Sequence, residues 1–238
     1  MINIKRLVFI LAFFACFFTS ETSNAQKLNQ FDKNKKRTGV WKKYYPNKRI
    51  KYIGKFKNGK EVGVFKFYDI TESKFPIAIR TFFEDSDSLF VQFFTLKGKI
   101  QTEGVLNGRK RTGNWKYFYP DGTLMSEENY KEGLLHEEQL IYYPDGQVTE
   151  FSIYKNGLLD GVCSKYASNG TLIEEVTYAN GIQNGLAKYF ELNGNLKETG
   201  NYKNGKRIGK WEFYMDGEIA SNIDKKKKKS TYTRKKGN

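Results

Sequence analysis

From about residue 38 onward the chain alternates runs of aromatic and aliphatic residues with polar, glycine-centred breaks, and it does so at a fixed period. With the position of Gly113 as an anchor, equivalent positions fall at 39, 63, 89, 113, 137, 161, 185 and 209, separated by 24 residues except for one step of 26. Glycine occupies six of these anchors, Leu89 and Glu137 being the exceptions. Five positions after each anchor stand Tyr44, Tyr68, Phe94, Phe118, Tyr142, Tyr166, Phe190 and Tyr214, all aromatic. Position +2 holds Trp41, Phe65, Trp115 and Trp211, but Gln139, Cys163 and Ala187 in the middle copies.

Turn signals divide each unit. Asp121-Gly122, Asp145-Gly146, Asn169-Gly170, Asn193-Gly194 and Asp216-Gly217 come first, each followed two residues later by an aliphatic such as Leu124 or Val148. Asn58-Gly59, Asn156-Gly157, Asn180-Gly181 and Asn204-Gly205 come second, and the copy at 89 slips by one residue to Asn107-Gly108. These dipeptides tolerate the positive φ of hairpin turns, and Pro120 and Pro144 preset the entry to theirs. The runs between them favour extended backbone, and breaks every 11 to 13 residues leave no room for ordinary helices. The pattern predicts an all-β fold: an elongated, single-layer array of about eight stacked β-hairpins, stable only collectively because one hairpin is marginal in water. Sixteen strands at about 4.8 Å make a ribbon roughly 75 Å long.

One detail resists a flat sheet. Positions +2 and +4 fall on one face and the aromatic at +5 on the other, so either both faces carry aromatic rows or a bulge shifts the parity. The copy at 63–88 is also irregular, with two extra residues and Pro76 inside TESKFPIAIRTFFEDSDS; it reads as a longer excursion, with a partner-binding insertion as the sharper alternative.

The first 25 residues differ from the rest. Lys5 and Arg6 precede the uncharged run Leu7–Phe18, and a polar stretch ends Ser23-Asn24-Ala25 before Gln26. This is the order of a secretory signal peptide cleaved between Ala25 and Gln26, with lipidation at Cys16 or a retained anchor as alternatives. Residues 26–38 then form a basic lead-in, 39–223 the repeat array and 224–238 a lysine-rich tail. Cleavage leaves one cysteine, Cys163, which excludes an internal disulfide.

Composition changes this picture in two ways. The net charge of +15 concentrates at the ends, above all in Lys225, Lys226, Lys227, Lys228, Lys229, Arg234, Lys235 and Lys236. Such a run reads as a solvated tail or as a site for a polyanion, an anionic membrane or a surface polymer; export makes nucleic acid the least fitting of these. Chemistry, in turn, lacks its residues. His136 is the only imidazole and sits between hairpins beside Glu137 and Glu138, and Cys163 occupies a slot that other copies fill with tryptophan. No phosphate loop, nucleophile elbow or metal-ligand spacing is present, so no catalytic, cofactor-binding or metal residue is assigned and no small-molecule substrate is expected.

The units resemble the MORN repeat in its bacterial variant form, roughly G-x-W-x-x-Y-x-x-x-G-x-L-x-x-E-x-x-Y-x-N-G. GNWKYFYPDGTLMSEENYKEG at 113–133 and GLAKYFELNGNLKETGNYKNGKRIG at 185–209 carry the likeness most clearly. The resemblance covers about residues 39–223 and implies a non-enzymatic interaction scaffold. Many variant-repeat proteins are labelled YwqK-type antitoxins, which implies a partner toxin as an alternative. Pattern and resemblance together lead to the expectation of an exported repeat protein offering a protein-binding surface in the cell envelope, whether periplasmic, at the outer membrane or outside the cell.

Overall fold

The computed structural model describes residues 27–83 and 86–220. The expected cleavage site at Ala25–Gln26, Cys16 and the lysine tail from Lys225 to Lys236 lie outside the described residues. Seventeen strands follow one another: β1 (Gln30–Phe31), β2 (Arg37–Tyr44), β3 (Ile50–Lys57), β4 (Lys60–Phe67), β5 (Ala78–Phe82), β6 (Ser88–Phe94), β7 (Ile100–Asn107), β8 (Lys110–Phe118) and β9 (Leu124–Lys131). The second half repeats the scheme in β10 (Leu134–Tyr142), β11 (Val148–Lys155), β12 (Leu158–Tyr166), β13 (Leu172–Ala179), β14 (Ile182–Phe190), β15 (Leu196–Lys203), β16 (Lys206–Met215) and β17 (Glu218–Ile219). Each strand pairs antiparallel with the next in sequence, so the array is one open meander, as the turn spacing predicts.

The two turn signals build two different turns. At the second, both central residues have positive φ, as in Asn156 (51°) and Gly157 (84°), which is the type I′ geometry whose twist matches the strands. The slipped copy makes Gly108 (59°) the first central residue and leaves Arg109 at negative φ, so one residue of slip converts the turn to type II′. At the first signal only the glycine is left-handed. Tyr119 N–H donates to Thr123 O at 2.8 Å and Gly122 N–H to Tyr119 O at 2.9 Å, a three-residue loop with Pro120 and Asp121 in its corner. The same pair of bonds recurs at 45–49, 95–99, 143–147, 167–171 and 191–195. The last copy is one residue short, and there Asp216-Gly217 forms a two-residue turn instead.

The anchor is a bulge residue. In β8, Thr112 pairs with Val105 and Lys116 with Glu103, so Gly113 to Trp115 stand opposite Gly104 alone. Equivalent breaks occur between β3 and β4, β9 and β10, β11 and β12, β13 and β14, and β15 and β16. The two extra residues bend the backbone at the anchor into the left-handed region, where glycine carries no Cβ penalty; Gly113 sits at φ 65°. Glu137 adopts φ 68° without that freedom, whereas at Leu89 the β5–β6 ladder is regular and no bulge forms. A second shift falls at +4/+5, where Tyr117 pairs with Ser126 but Phe118 with Leu124. The +5 ring nevertheless stays opposite +2, since Tyr142 hydrogen-bonds Glu127 on one face while Tyr117 and Tyr130 gather around Arg111 on the other. Both faces carry aromatic rows.

The core of this single layer is the +2 row. Phe65, Val91 and Ala187 are fully covered, Trp115 and Cys163 nearly so, and Trp41 and Trp211 at the ends are half-buried. The cover comes from an alternation of sizes between strands. Phe65 lies over Gly54, Trp115 over Gly104 and Trp211 over Gly200, so closely that a Cβ on any of these glycines would come within 2.4 Å of a ring atom. Where +2 is not aromatic, the seat is filled: Ser152 faces Cys163, Val176 faces Ala187, Glu128 faces Gln139 and Arg80 faces Val91. In the filled copies seat and +2 residue pair directly, whereas in the aromatic copies the ladder steps over the glycine.

The irregular copy forms an excursion over 68–77 along the wide-turn edge. Asn47 Nδ2 donates to the Ile70 carbonyl at 2.9 Å on one side, and the Phe75 ring rests on Gly98 on the other. At the beginning of the array, Asn29 uses its side chain as a short strand: Nδ2 donates to Lys42 O at 3.2 Å and Oδ1 accepts from Lys42 N–H at 2.9 Å. Phe31 then covers Trp41 edge-on, centroid to centroid 5.0 Å, so the first repeat receives the lid that its neighbours receive from a full hairpin.

Candidate interaction surfaces

The face bearing the +2 row, here the seat face, also carries positions +4, +13, +15 and +17. All three +2 tryptophans belong to Arg-x-Gly-x-Trp segments, Arg37–Trp41, Arg111–Trp115 and Arg207–Trp211. The reason is geometric. The bulge at the intervening glycine folds the arginine back over the indole, with the guanidinium carbon 4.9, 4.7 and 4.0 Å from the respective ring centroids. Arg111 also stacks on Tyr130 and donates to its hydroxyl at 3.0 Å; Tyr130 donates in turn to Glu128 at 2.6 Å, and Gln139 donates to the same carboxylate at 3.2 Å.

Carboxylates continue along the face. Ser152 donates to Glu150 at 2.9 Å, Lys165 to Glu174 at 3.1 Å, and Arg207 forks onto Glu198. Glu128 and Glu150 have no cation within ion-pair distance among the described residues; hydroxyls and an amide hold them instead. The centre of the seat face is therefore a strip of tyrosines around two carboxylates outside any direct ion pair, with Glu128 interacting at longer range with Arg111 and Glu150 with Lys165. Burial pushes the Tyr117, Tyr130 and Tyr154 hydroxyls above the usual phenol range, and the neighbouring acids add to the shift, so all three are protonated donors at neutral pH.

The opposite, ring face carries +1, +3, +5, +14 and +16. Phe94, Phe118, Tyr142, Tyr166, Phe190 and Tyr214 are half-buried there and Tyr44 is exposed. Tyr142 is pushed up to about 12 by burial and by its hydrogen bond to Glu127. Neighbouring repeats are tied at the edges. Tyr45, Tyr119 and Tyr143 donate to the carbonyls of Tyr68, Tyr142 and Tyr166 in the following unit, at 2.9, 2.7 and 3.0 Å. On the tight-turn side Gly157 N–H donates to Leu135 O and Gly181 N–H to Leu159 O, both at 2.7 Å.

The candidates for chemistry fall into structural places. Cys163 is 3 % exposed, lies with Sγ 3.2 Å from Ser152 Oγ, and has a thiol pushed up by burial, which keeps it protonated and weakly nucleophilic. His136 Nδ1 lies 3.4 Å from Asn156 N–H in the bulge between hairpins. Among the described residues no group of three or more His, Cys, Asp or Glu side chains could hold a metal ion.

Sequence reasoning placed the aromatic rows but passed over the arginine at −2, the seat glycines and the carboxylate strip. The first two were legible as paired absences: arginine stands at −2 only where tryptophan stands at +2, and glycine at the seat only where +2 is aromatic. The model described as the MORN repeat variant matches residues 37–58, 111–132, 159–180 and 183–204. All four matches begin two residues before an anchor and end within or just before the next tight turn. No curated protein is significantly similar to the chain.

Proposed function

The chain carries MORN repeat variants, and on that premise we propose that it is a non-enzymatic, exported scaffold whose seat face binds a protein partner in the cell envelope. Repeats of this kind are generally modules for binding proteins or membranes. What supports the protein reading is the strip around Glu128 and Glu150: hydrogen-bonded tyrosines and two carboxylates outside any direct ion pair among the described residues, presented on a continuous sheet. Tyrosine offers contact area at low entropy cost, and a partner arginine or lysine would complete the carboxylates.

Crosslinking in the native host, followed by capture with the unmodified chain and with the E128Q/E150Q variant, tests this. A partner held by the unmodified chain and lost from the variant is expected. Recovery of nothing above control from envelope fractions would refute it, and cell fractionation tests export in the same experiment. An antitoxin role is the special case in which the captured partner is a toxin, and co-expression without rescue removes that case.

A further inference from the structure

Positive charge crowds the beginning of the sheet. Residues 27–68, which hold β1 to β4, carry 14 Lys/Arg against Asp32 and Glu61, a net +12. The acids in and beside this zone are engaged elsewhere. Asp32 accepts from the Asn34 and Lys36 N–H groups in the first turn, and Glu61 stands opposite Phe56 on the seat side. Asp69 is held by the N–H and hydroxyl of Thr71, and Glu72 lies 3.9 Å from Arg49. Among the described residues Lys42, Lys55 and Lys66 of the ring face have no ion pair.

Later repeats show what these lysines lack. Lys116, at +3, lies between Glu103 and Glu127 and pairs with Glu127 at 3.5 Å, and Lys188 pairs with Glu175 at 2.9 Å. In the first two units the lysine at +3 is kept and the acid is not. Lys42 faces Ile53, and Lys66 lies between Ile53 and Ile79. Lys55, at +16, faces Val40 on one side and Val62 on the other, whereas +16 is uncharged in each unit from 89 to 185. The same slots that are neutralised further along are thus left positive here.

Lys42 and Lys66 stand two strands apart, about 9.6 Å, with Lys55 one strand from each, so the three act within about one Debye length at 0.1 M salt. Exposed lysines continue the line to both edges, Lys48 at the wide turn and Lys57 and Lys60 at the tight turn. The track therefore runs along β3 from edge to edge, eight residues or about 26 Å. We propose that strands β2 to β4 hold a linear, base-free phosphate polymer laid along this track. Lysines are compact point charges that suit phosphate, whereas carboxylate recognition favours the bidentate guanidinium fork. Val40, Ile53 and Val64 between the lysines offer no ring on which a base could stack, and the Tyr44 ring already carries Lys42 Nζ at 5.4 Å. A bilayer would meet one flat face, while this charge continues round both edges. The track lies apart from the seat face, so either idea can fail without the other.

Titration of the full chain with inorganic polyphosphate tests it, with oligothymidine and vesicles of phosphatidylcholine and phosphatidylglycerol as parallel arms. Polyphosphate is expected to bind, and K42Q/K55Q/K66Q to weaken it at least about tenfold at about 0.1 M salt. The same variant should lower the slope of log K against log salt by about 2, the share of three released counterions. K131Q/K155Q/K203Q removes equal charge from later repeats and should change affinity less than about twofold. Ile53→Glu removes no lysine but restores the missing acid, and should weaken binding at least about fivefold. Circular dichroism should show the strand content of every variant unchanged. Absence of binding overturns the proposal, and so do equal losses from the two triple variants, which would make net charge alone responsible. Tighter binding of oligothymidine would assign the track to nucleic acid instead. Vesicle binding that K42Q/K55Q/K66Q abolishes would assign it to a bilayer, and either result overturns the polymer reading.

Discussion

Replacing Gly104 by valine forces a collision that the structure quantifies. A Cβ at this position lies 2.3 Å from Trp115 Cδ2, against about 3.5–4.0 Å for carbons in contact. The indole cannot withdraw, because its Nε1 donates to Val105 O at 3.0 Å and Arg111 lies across the ring. The G104V substitution should therefore cost about 3 kcal/mol, the upper part of the range for overpacking. W115A alone should cost about 3–5 kcal/mol, the loss of a buried tryptophan plus the cavity it leaves; Trp115 is 1 % exposed. The double variant copies the Val176–Ala187 pair, in which both residues are fully buried. It should cost about 1–3 kcal/mol, well below the sum of the singles, so that the coupling is at least about 3 kcal/mol. Urea unfolding followed by circular dichroism at 25 °C measures all three, and unchanged m-values show that the variants expose the same surface on unfolding. Costs that add within about 0.5 kcal/mol would refute the idea that seat and +2 residue specify one another.

Three further outcomes follow from single positions. Glu137→Gly should stabilise the chain by about 1 kcal/mol, because it removes a side chain from φ 68° at the cost of some unfolded-state entropy, while Gly113→Ala at φ 65° should destabilise it by about 1–2 kcal/mol despite open space around its Cβ; paired melting curves show both signs. Tyr119→Phe should cost about 0.5–1.5 kcal/mol by leaving the Tyr142 carbonyl without its donor, readable as a lower urea midpoint. High pH should unfold the array. Phenols whose folded values lie above the unfolded value of 10.0 contribute stability that is complete below pH 10 and is lost as the pH rises through the folded value, about 12 for Tyr142. Thermal midpoints measured from pH 9 to 12 should fall, and less steeply in Tyr142→Phe; a flat profile would contradict the burial of these hydroxyls.

The strand order, the hairpin connectivity and the number of units were written in the sequence, because each depends on neighbours in the chain. Asn-Gly and Pro-Asp-Gly determine their turns within four or five residues, and a tight turn leaves the next strand nowhere to pair but beside the last. Even the II′ turn at Gly108 follows from one residue of slip. What a period of 24 could not show was the meaning of its own anchor. Gly113 marks a bulge only because β7 lies opposite with fewer residues, and register against another strand is not a property of local pattern. The rows at +2 and +5 were visible, but that +2 is the core and +5 the second face was decided by Gly54, Gly104 and Gly200, which stand eleven residues before the rings they seat and become neighbours only across the ladder. The same holds for charge: the positions of the lysines and glutamates are local, but that Lys116 meets Glu127 and Lys188 meets Glu175 was decided across the ladder, where paired strands bring together side chains well apart in the chain.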